Sequence, residues 1–200
     1  MNFHIVTLFP RIIRPYLAES IVARARRRGL INVSIYDLRE YSGQRYRVDD
    51  RPYGGGPGMV IRAEPVIRAV AAIKKRTPKI KVVILSPGGK EFTNKIAERW
   101  AKMGISLVLI AGRYEGIAAR VKKALKAEEI SVGPYILTGG EVPALTIIDA
   151  TARQIKGVLG KFESLEEGRV ASHDVYTRPE TLIYKGKKIS VPKVLLSGHH

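Results

Sequence analysis

Short, unbroken apolar runs alternate with segments of helical periodicity along most of this chain, and this alternation restricts the possible folds more than any other feature. A strand that buries both faces reads as a continuous apolar run, whereas a half-exposed strand alternates with polar residues. Residues 31–35 alternate in that second way, and continuous runs predict further strands at 3–8, 82–85, 107–110 and 130–132. Strands of this kind, separated by helices, predict an α/β domain whose mostly parallel sheet is covered by helices on both faces.

Apolar residues at three- and four-residue steps predict the intervening helices. Ile13, Leu17 and Ile21 predict one helix, which a basic last turn and Gly29 bring to an end. The same spacing predicts helices at 65–75, 96–103, 117–125 and 145–155. Residues 39–58 interrupt the pattern with a polar segment rich in glycine and proline. A loop of that length in a compact domain is typical of a functional or mobile segment.

The charge balance indicates a polyanionic partner. The 200 residues contain 35 Lys and Arg against 18 Asp and Glu, a formal net charge of +17. Such an excess favours nucleic acid as the partner, and the alternative explanation is the charged surface of a heat-adapted protein.

The chain has no cysteine, which excludes disulfides, thiolate nucleophiles and iron–sulfur clusters and fits a reducing cytoplasm. No apolar run approaches the ~20 residues of a membrane helix, and residues 1–7 read as a strand rather than as a signal peptide.

Glycine-bearing turns follow three successive strands, at 86–89, 112–116 and 133–140. Ligands of parallel sheets bind at the carboxyl ends of the strands, so these turns predict one binding site rather than unrelated tight turns. The glycine run at 49–59 matches neither a phosphate loop nor a dinucleotide fingerprint. Met59 stands where the fingerprint requires its last glycine, and no lysine and hydroxyl follow Gly58. We expect these glycines to let the backbone approach another flat or extended ligand, or another chain segment.

Several motifs, taken in chain order, are similar to those of one enzyme family. They include Asp-Asp-Arg-Pro-Tyr-Gly-Gly-Gly-Pro-Gly-Met at 49–59, Gly-Arg-Tyr-Glu-Gly-Ile at 112–117 and Leu-Thr-Gly-Gly-Glu at 137–141. Shorter matches lie at 85–87, 157–160, 176–180 and 196–200. With them, nearly the whole chain resembles the bacterial tRNA (guanine-N1)-methyltransferases, the TrmD family of the SPOUT superfamily.

The resemblance implies that S-adenosylmethionine donates a methyl group to N1 of guanosine 37 in tRNA, within a cytoplasmic homodimer. It implies a deep trefoil knot in a donor-binding domain at 1–160, and a mobile linker with the start of a tRNA-binding region at 161–200. The family's small helical C-terminal domain would be largely absent from a chain that stops at His200. Either the sequence is then a truncated form, or the knotted domain grips tRNA alone. The resemblance also implies Mg²⁺ for activity, although no cluster of metal ligands is visible.

The same resemblance implies which residues surround the methyl donor. Backbone groups of the turns would hydrogen-bond the adenine edge, apolar side chains would enclose its ring, and the glycines would tolerate the crowding of a knotted backbone. The implied residues are Leu85, Ser86, Pro87, Gly112, Tyr114, Glu115, Gly116, Val132, Gly133, Tyr135, Leu137, Gly139, Gly140 and Pro143. Glu115 can complement the donor's positive end, contact the guanine edge, or cap the helix whose first turn it is expected to occupy.

Two catalytic roles follow from the resemblance. Arg153 stands at the position of the family's catalytic arginine, where a guanidinium would bind guanine O6 as the N1 proton leaves. A helix pair with Asp149, four residues earlier, is the structural alternative. The family's general base is an aspartate after 157–160, and Gly168 replaces it here. Asp174 is the first substitute and Glu167 the second. If neither accepts the proton, the chain is a donor- and RNA-binding protein with weak or no catalysis.

RNA contacts are predicted in the long glycine loop. Arg45, Arg47, Arg51 and Tyr53 carry side chains of the kind that stack on splayed bases. Basic clusters at 24–28, 74–81, 120–126 and 185–188 add positive charge. Each cluster is explained at least as well by a solvated helix end or turn.

Overall fold

The computed structural model describes residues 1–43, 47–160 and 174–196. The chain forms two compact units, Met1–Leu165 and Glu166–His200. In the described part of the first unit the strands are β1 (Asn2–Thr7), β2 (Asn32–Asp37), β3 (Asp49–Asp50), β4 (Val60–Ile61), β5 (Ile80–Glu91), β6 (Ser106–Ala111) and β7 (Glu128–Ser131). Its helices are α1 (Pro10–Leu17), α2 (Ser20–Arg27), α3 (Ala63–Arg76), α4 (Asn94–Met103), α5 (Arg120–Leu125) and α6 (Glu141–Arg153), with a 3₁₀ turn at Leu38–Tyr41. The second unit contains β8 (Thr181–Tyr184), β9 (Lys187–Ser190) and α7 (Lys193–Leu196).

Five strands of the first unit form one sheet in the order β2-β1-β6-β5-β7, and all neighbouring strands are parallel. In this register Phe3 lies opposite Leu107, and Val83 lies opposite Leu109. The short strands β3 and β4 form a separate antiparallel pair. A parallel sheet with helices between its strands confirms the α/β prediction.

Side chains of the central strands alternate between two buried clusters, one on each face of the sheet. Along β6, Leu107 and Leu109 join the cluster that α1, α2, α4 and α6 cover. Val108 and Ile110 join the cluster beneath α3 and α5. Each of these four side chains is at most 1% exposed. Because both faces of the strand are covered, every successive position is apolar, and this explains the unbroken runs.

The single helix predicted from Ile13, Leu17 and Ile21, with its end at Gly29, is wrong, since the segment forms the two helices α1 and α2. The chain is extended at Glu19, and Ser20 adopts a φ of 53°, so the helical path stops and restarts in a new direction. Leu17 is nevertheless part of a buried core cluster, and partly buried Ile21 packs against the same cluster. The four-residue step therefore continues across the break because both helices pack on one surface, not because one helix spans it.

Strand β5 runs beyond its predicted end at Leu85. Its pairing with β7 places Ile130 opposite both Leu85 and Lys90, so residues 86–89 form an insertion that bulges from the ladder. Turn residues in the sequence mark this insertion correctly, but the strand resumes after it. The bulge brings Ser86 and Pro87 to the carboxyl edge of the sheet.

In the second unit, β8 and β9 form an antiparallel hairpin that the sequence pattern did not indicate. Lys185 and Gly186 connect the strands with φ values of 50° and 75°, the two positive values that a type I′ turn requires. Lysine is an unusual residue at the first of these positions, which is why the turn signal was weak. Among residues 174–196 none is buried. No helix in the described part of the chain is long and apolar enough to cross a membrane.

Candidate methyl-donor site and comparison with known proteins

A cavity of about 450 Å³ opens at the carboxyl edge of the sheet. Its walls come from the ends of β5, β6 and β7 and from the turns that follow these strands. The volume lies within the ~300–1,000 Å³ range of small-molecule sites. Turns after three different strands therefore contribute to one site, as the rule for parallel sheets predicts.

The structure places all but one of the donor-site candidates on this cavity. The candidates that line it are Leu85, Ser86, Pro87, Gly112, Tyr114, Glu115, Gly116, Val132, Tyr135, Leu137, Gly139, Gly140 and Pro143. Gly133 does not line it. Its amide donates to the Ser131 hydroxyl, and a Cβ at Gly133 would lie 2.4 Å from Cε1 of Tyr135. Gly133 therefore shapes the turn behind the cavity wall rather than the wall itself.

Further residues line the cavity that the sequence reasoning did not single out. Arg113 lies inside the Gly-Arg-Tyr-Glu-Gly motif, so the motif itself was a usable signal for it. Lys122 and Glu129 also contribute, from α5 and β7. Their charged groups form an ion pair with a separation of 2.5 Å between Nζ and Oε2. No local pattern marks this pair, because the two residues meet only when α5 packs beside the end of β7.

A buried carboxylate anchors one side of the cavity. Glu141, at the start of α6, is 1% exposed and accepts hydrogen bonds from the Thr7 hydroxyl at 2.7 Å and from Nε of Arg113 at 2.9 Å. Arg113 also donates to the carbonyl of Thr138 at 3.0 Å, and its guanidinium lies 4.6 Å from the centroid of the Phe9 ring. This network connects β1, the turn after β6 and the first turn of α6. It holds the cavity-lining turn at 137–140 in place.

The crowding expected at the glycines is present at some positions and absent at others. Gly140 donates to the carbonyl of Gly112, and a Cβ on Gly140 would lie 2.6 Å from Cα of Ala111. Backbone packs on backbone there, so only glycine fits. At Gly139 the crowding atoms belong to the Arg113 side chain, and at Gly116 no atom lies within 4 Å. Gly116 instead has a φ of 121°, a conformation that favours glycine.

Glu115 does not cap a helix, contrary to one alternative in the sequence reasoning. It precedes α5 by several residues and lies in a turn whose backbone pairs with the end of the glycine loop. Its amide donates to the carbonyl of Met59, and Ile61 donates to the carbonyl of Gly116. A Cβ on Gly58 would lie 2.6 Å from Oε1 of Glu115. The glycine loop is therefore joined to the rim of the cavity at Glu115.

Arg153 ends α6 and does not line the cavity. Pro143 does line it, and the separation of ten positions between the two residues corresponds to about 15 Å of helix. Asp149, the alternative partner of Arg153, accepts a hydrogen bond from the hydroxyl of Tyr16 on α1. This bond raises the pKa of Tyr16 to about 12.

The remaining candidates are residues of the first unit that do not line the cavity, one residue of the second unit, and residues outside the described part of the chain. Asp174 is exposed in the second unit, whereas Glu167, Gly168 and Arg45 fall outside the described residues. Arg47 and Arg51 are exposed, and Arg47 pairs with Asp49 at 3.4 Å. Tyr53 is fully exposed. In residues 1–43, 47–160 and 174–196, no group of three or more His, Asp or Glu side chains could hold a metal ion.

Comparison with known proteins identifies the family. A model of the tRNA (Guanine-1)-methyltransferase TrmD family matches residues 1–200. The chain belongs to this family. The tRNA (guanine-N(1)-)-methyltransferase of Thermus thermophilus is 47% identical over 205 residues, which cover 100% of the chain and 82% of that protein. The enzyme of the same name from Myxococcus xanthus is 44% identical, with 98% of the chain and 79% of that protein covered.

A solved structure agrees with this assignment to the TrmD family. The crystal structure of tRNA (m1G37) methyltransferase from Aquifex aeolicus superposes with a TM-score of 0.85 at 40% identity. The match covers 100% of the chain and 84% of that protein. Relatives named as enzymes, matched over the whole chain, favour a catalyst over the alternative of a donor- and RNA-binding protein without catalysis.

Proposed function

We propose that this TrmD family member transfers the methyl group of S-adenosylmethionine to N1 of guanosine 37 in tRNA, as a homodimer in the cytoplasm. The observation that carries the proposal is the cavity that the family's glycine turns build together. Its apolar walls at Leu85, Val132 and Pro143 suit a flat ring, and the Glu115 carboxylate on the same surface suits a positive charge. When bound, the donor supplies an electrophilic methyl group on a sulfonium.

Contact between the 111–112 and 139–140 segments supports a knotted backbone at this site. Gly140 packs directly on the backbone of Ala111, as expected where one segment passes closely by another. The trefoil knot that the family resemblance implies is therefore part of the proposal.

Arg153 binds guanine O6 and stabilises the negative charge that develops as the N1 proton leaves. About 15 Å of helix separates Arg153 from Pro143 at its own cavity, so we assign Arg153 to the cavity of the second protomer. Two α6 helices that cross antiparallel on a two-fold axis would each carry an arginine to the other site. Exposed Ile12 and Tyr16 on α1, with exposed Val142 on α6, supply an apolar surface for this contact.

The general base is Asp174, with Glu167 as the second candidate. The N1 proton is weakly acidic, so a carboxylate must accept it as the methyl group arrives.

The glycine loop contacts RNA around the target base, since it is joined to the cavity rim at Glu115. The side chains that make these contacts are Arg45, Arg47, Arg51 and Tyr53. The described residues offer no cluster for the Mg²⁺ that the resemblance implies, so no step is assigned to that ion.

The test of the dimeric site mixes two inactive variants. Leu137→Trp, checked by calorimetry for loss of donor binding, is mixed with Arg153→Ala under conditions of subunit exchange. If the site combines the cavity of one protomer with Arg153 of the other, each mixed dimer contains one intact site, and activity returns to about a quarter of the wild-type value. If each site is built within one protomer, mixed dimers have none, and the mixture stays inactive.

The general base is tested by single-turnover methyl transfer to unmodified tRNA, with a tRNA lacking guanosine 37 as the substrate control. We expect Asp174→Asn to abolish transfer without changing donor affinity, and Glu167→Gln to retain most of it. Full activity of Asp174→Asn with loss in Glu167→Gln would move the role to Glu167. Absence of transfer in the wild type, with the donor bound, would reject the proposed reaction.

A further inference from the structure

The ends of α3 and α5 carry a group of cations that the donor site does not use. It consists of Lys74, Lys75, Arg76, Lys79, Lys123 and Lys126, which we call the α3–α5 basic surface. All six side chains are exposed. Among the described residues, none of the six has a carboxylate within ion-pair distance.

Packing brings the two halves of this surface together. Ile73 of α3 and Val121 of α5 are fully buried in the same core cluster, and the two helices contact each other directly. The strands that follow them, β5 and β7, are neighbours in the sheet. An ion pair of 2.5 Å joins Lys81, the second residue of β5, to Glu128, the first residue of β7. Lys79 lies two residues before Lys81, and Lys126 lies two residues before Glu128, so this ion pair holds Lys79 and Lys126 near each other.

Local carboxylates do not neutralise the surface. Helix α3 has no acidic residue after Glu64, which lies in its first turn beside Arg62, and α5 has none. Glu128 and Glu129, the first acids after α5 in the chain, are paired with Lys81 and Lys122. The six cations therefore form a local excess of positive charge on this surface.

Helix stabilisation explains only part of this arrangement. A cation in the last turn of a helix complements the helix dipole, and the effect is confined to that turn. Lys126 is the C-cap residue of α5 and is within reach of that dipole, whereas Lys79 lies three residues beyond the end of α3, so the dipole gives no reason for Lys79. Exposed cations clustered without counter-charges repel one another and attract a polyanion.

The surface lies away from the donor cavity. Both helices end just before their strands begin, so in a parallel sheet their carboxyl ends lie at the amino edge, whereas the cavity opens at the carboxyl edge. On the six-residue α5, Lys122 itself lines the cavity, so it is the end of α3 that lies away from it. The paired part of β5, from Ile80 to Leu85, corresponds to roughly 17 Å of strand. A ligand at the end of α3 is therefore separate from the target base.

We propose that the α3–α5 basic surface binds the phosphate backbone of tRNA outside the anticodon stem and loop. The proposal rests on the proposed function, because it assigns a second contact to the same substrate. A tRNA extends well beyond the target base, and its phosphates recur along every helical arm. Six exposed cations match several such phosphates without reading sequence.

The test compares two triple variants of equal charge change. The α3 triple variant removes three charges from the surface by Lys74→Gln, Lys75→Gln and Arg76→Gln. The α4 triple variant is the control, and it removes three exposed charges on the other face of the sheet by Lys95→Gln, Arg99→Gln and Lys102→Gln. Each is assayed with full-length tRNA and with an anticodon stem-loop that contains guanosine 37. Equilibrium binding of both RNAs is measured over a range of salt concentrations, and donor affinity is measured by calorimetry.

We expect the α3 triple variant to raise Kd and KM for full-length tRNA by about tenfold and to reduce the salt slope of binding by roughly 2. Its kcat, its donor affinity and its KM for the stem-loop stay at wild-type values, and the α4 triple variant changes all of these by less than about twofold. Unchanged tRNA binding, equal losses in the two triple variants, or an equal loss for the stem-loop would each overturn the proposal. A wild type that binds tRNA but transfers no methyl group would reject the proposed function alone, since the binding measurement still decides the role of the surface.

Discussion

The two edges of the central sheet use charge in different ways. At the carboxyl edge, the Arg113 side chain is 19% exposed and its partner Glu141 is 1% exposed. The nearby Lys122 is paired with Glu129. At the amino edge, cations such as Lys74 and Lys126 are exposed without partners among the described residues. Charges at the cavity thus hold turns in position, whereas charges at the other edge remain available to an external polyanion.

This difference has a physical origin in desolvation. A buried charge is tolerated only with a partner of good geometry, and it then fixes that geometry. An exposed charge is hydrated and screened, so it contributes little to folding and acts over about a Debye length. Substitutions at the cavity edge should therefore change stability and donor binding together, and substitutions at the amino edge should change neither.

The largest expected effect comes from Glu141→Gln. The change leaves the mostly buried Arg113 without its counter-charge, and loss of one partner of a buried pair costs about 3 kcal/mol. We expect that loss in the free energy of unfolding, measured with urea, together with weaker donor binding. The control is Glu98→Gln, which breaks the exposed pair with Lys102 and should cost less than about 1 kcal/mol. Equal losses in the two variants would remove the contrast between buried and exposed pairs.

Gly140→Ala should have the next largest effect. The new Cβ would lie 2.6 Å from Cα of Ala111, so backbone must move, and overpacking of this kind costs about 2 kcal/mol. Because the displaced segment lines the cavity, calorimetry should also show a loss of donor affinity. Gly88→Ala is the matched control, since no atom lies within 4 Å of its added methyl group. Wild-type stability and affinity in Gly140→Ala would show that the two segments separate easily.

Tyr16→Phe tests an exposed hydrogen bond by its pH dependence. The bond to Asp149 raises the pKa of Tyr16 from 10.0 to about 12, so its contribution is complete below pH 10 and is lost as the pH rises towards 12. Tyr16 is 44% exposed, and we expect a difference of only about 0.5 kcal/mol below pH 10. Urea unfolding at several pH values should show this difference disappearing between pH 10 and 12. A difference independent of pH would assign the effect to packing instead.

The smallest effect is expected at the amino edge. The triple variant at Lys74, Lys75 and Arg76 should change the free energy of unfolding by less than about 0.5 kcal/mol, because all three side chains are exposed. At low salt the variant should be slightly more stable than the wild type, since like charges are removed. A clear loss of stability would show that these cations support the fold, and the distinction between the two edges would then fail.

Several features were predictable because they depend on local patterns. Continuous apolar runs at 82–85 and 107–110 predicted strands with two covered faces, and Leu109 and Val108 do enter opposite clusters. Glycine turns after those strands predicted where a ligand site would form, and the cavity opens there. The break at Glu19 and Ser20 was missed, because α1 and α2 pack on one core cluster and so preserve the periodicity.

Other features of the site have no local signal. Glu141 stands 134 residues from Thr7, and only the order of strands in the sheet brings the carboxylate and the hydroxyl together. The backbone contact of Glu115 with Met59 likewise could not be foreseen, and it excludes the helix cap that was one of three alternatives for Glu115. Neither could be inferred from spacing, since both depend on segments distant in the chain.

The sequence by itself determined the alternation of strands and helices, the absence of cysteine chemistry such as disulfides, the excess of positive charge and, through its motifs, the family. These properties depend only on residue type and on the spacing of residues close together in the chain. Tertiary structure alone decided which charges are paired in the cavity and which are left exposed at the amino edge. The physical reason is that burial and ion pairing depend on the packing of distant segments, which residue order encodes only through the whole fold.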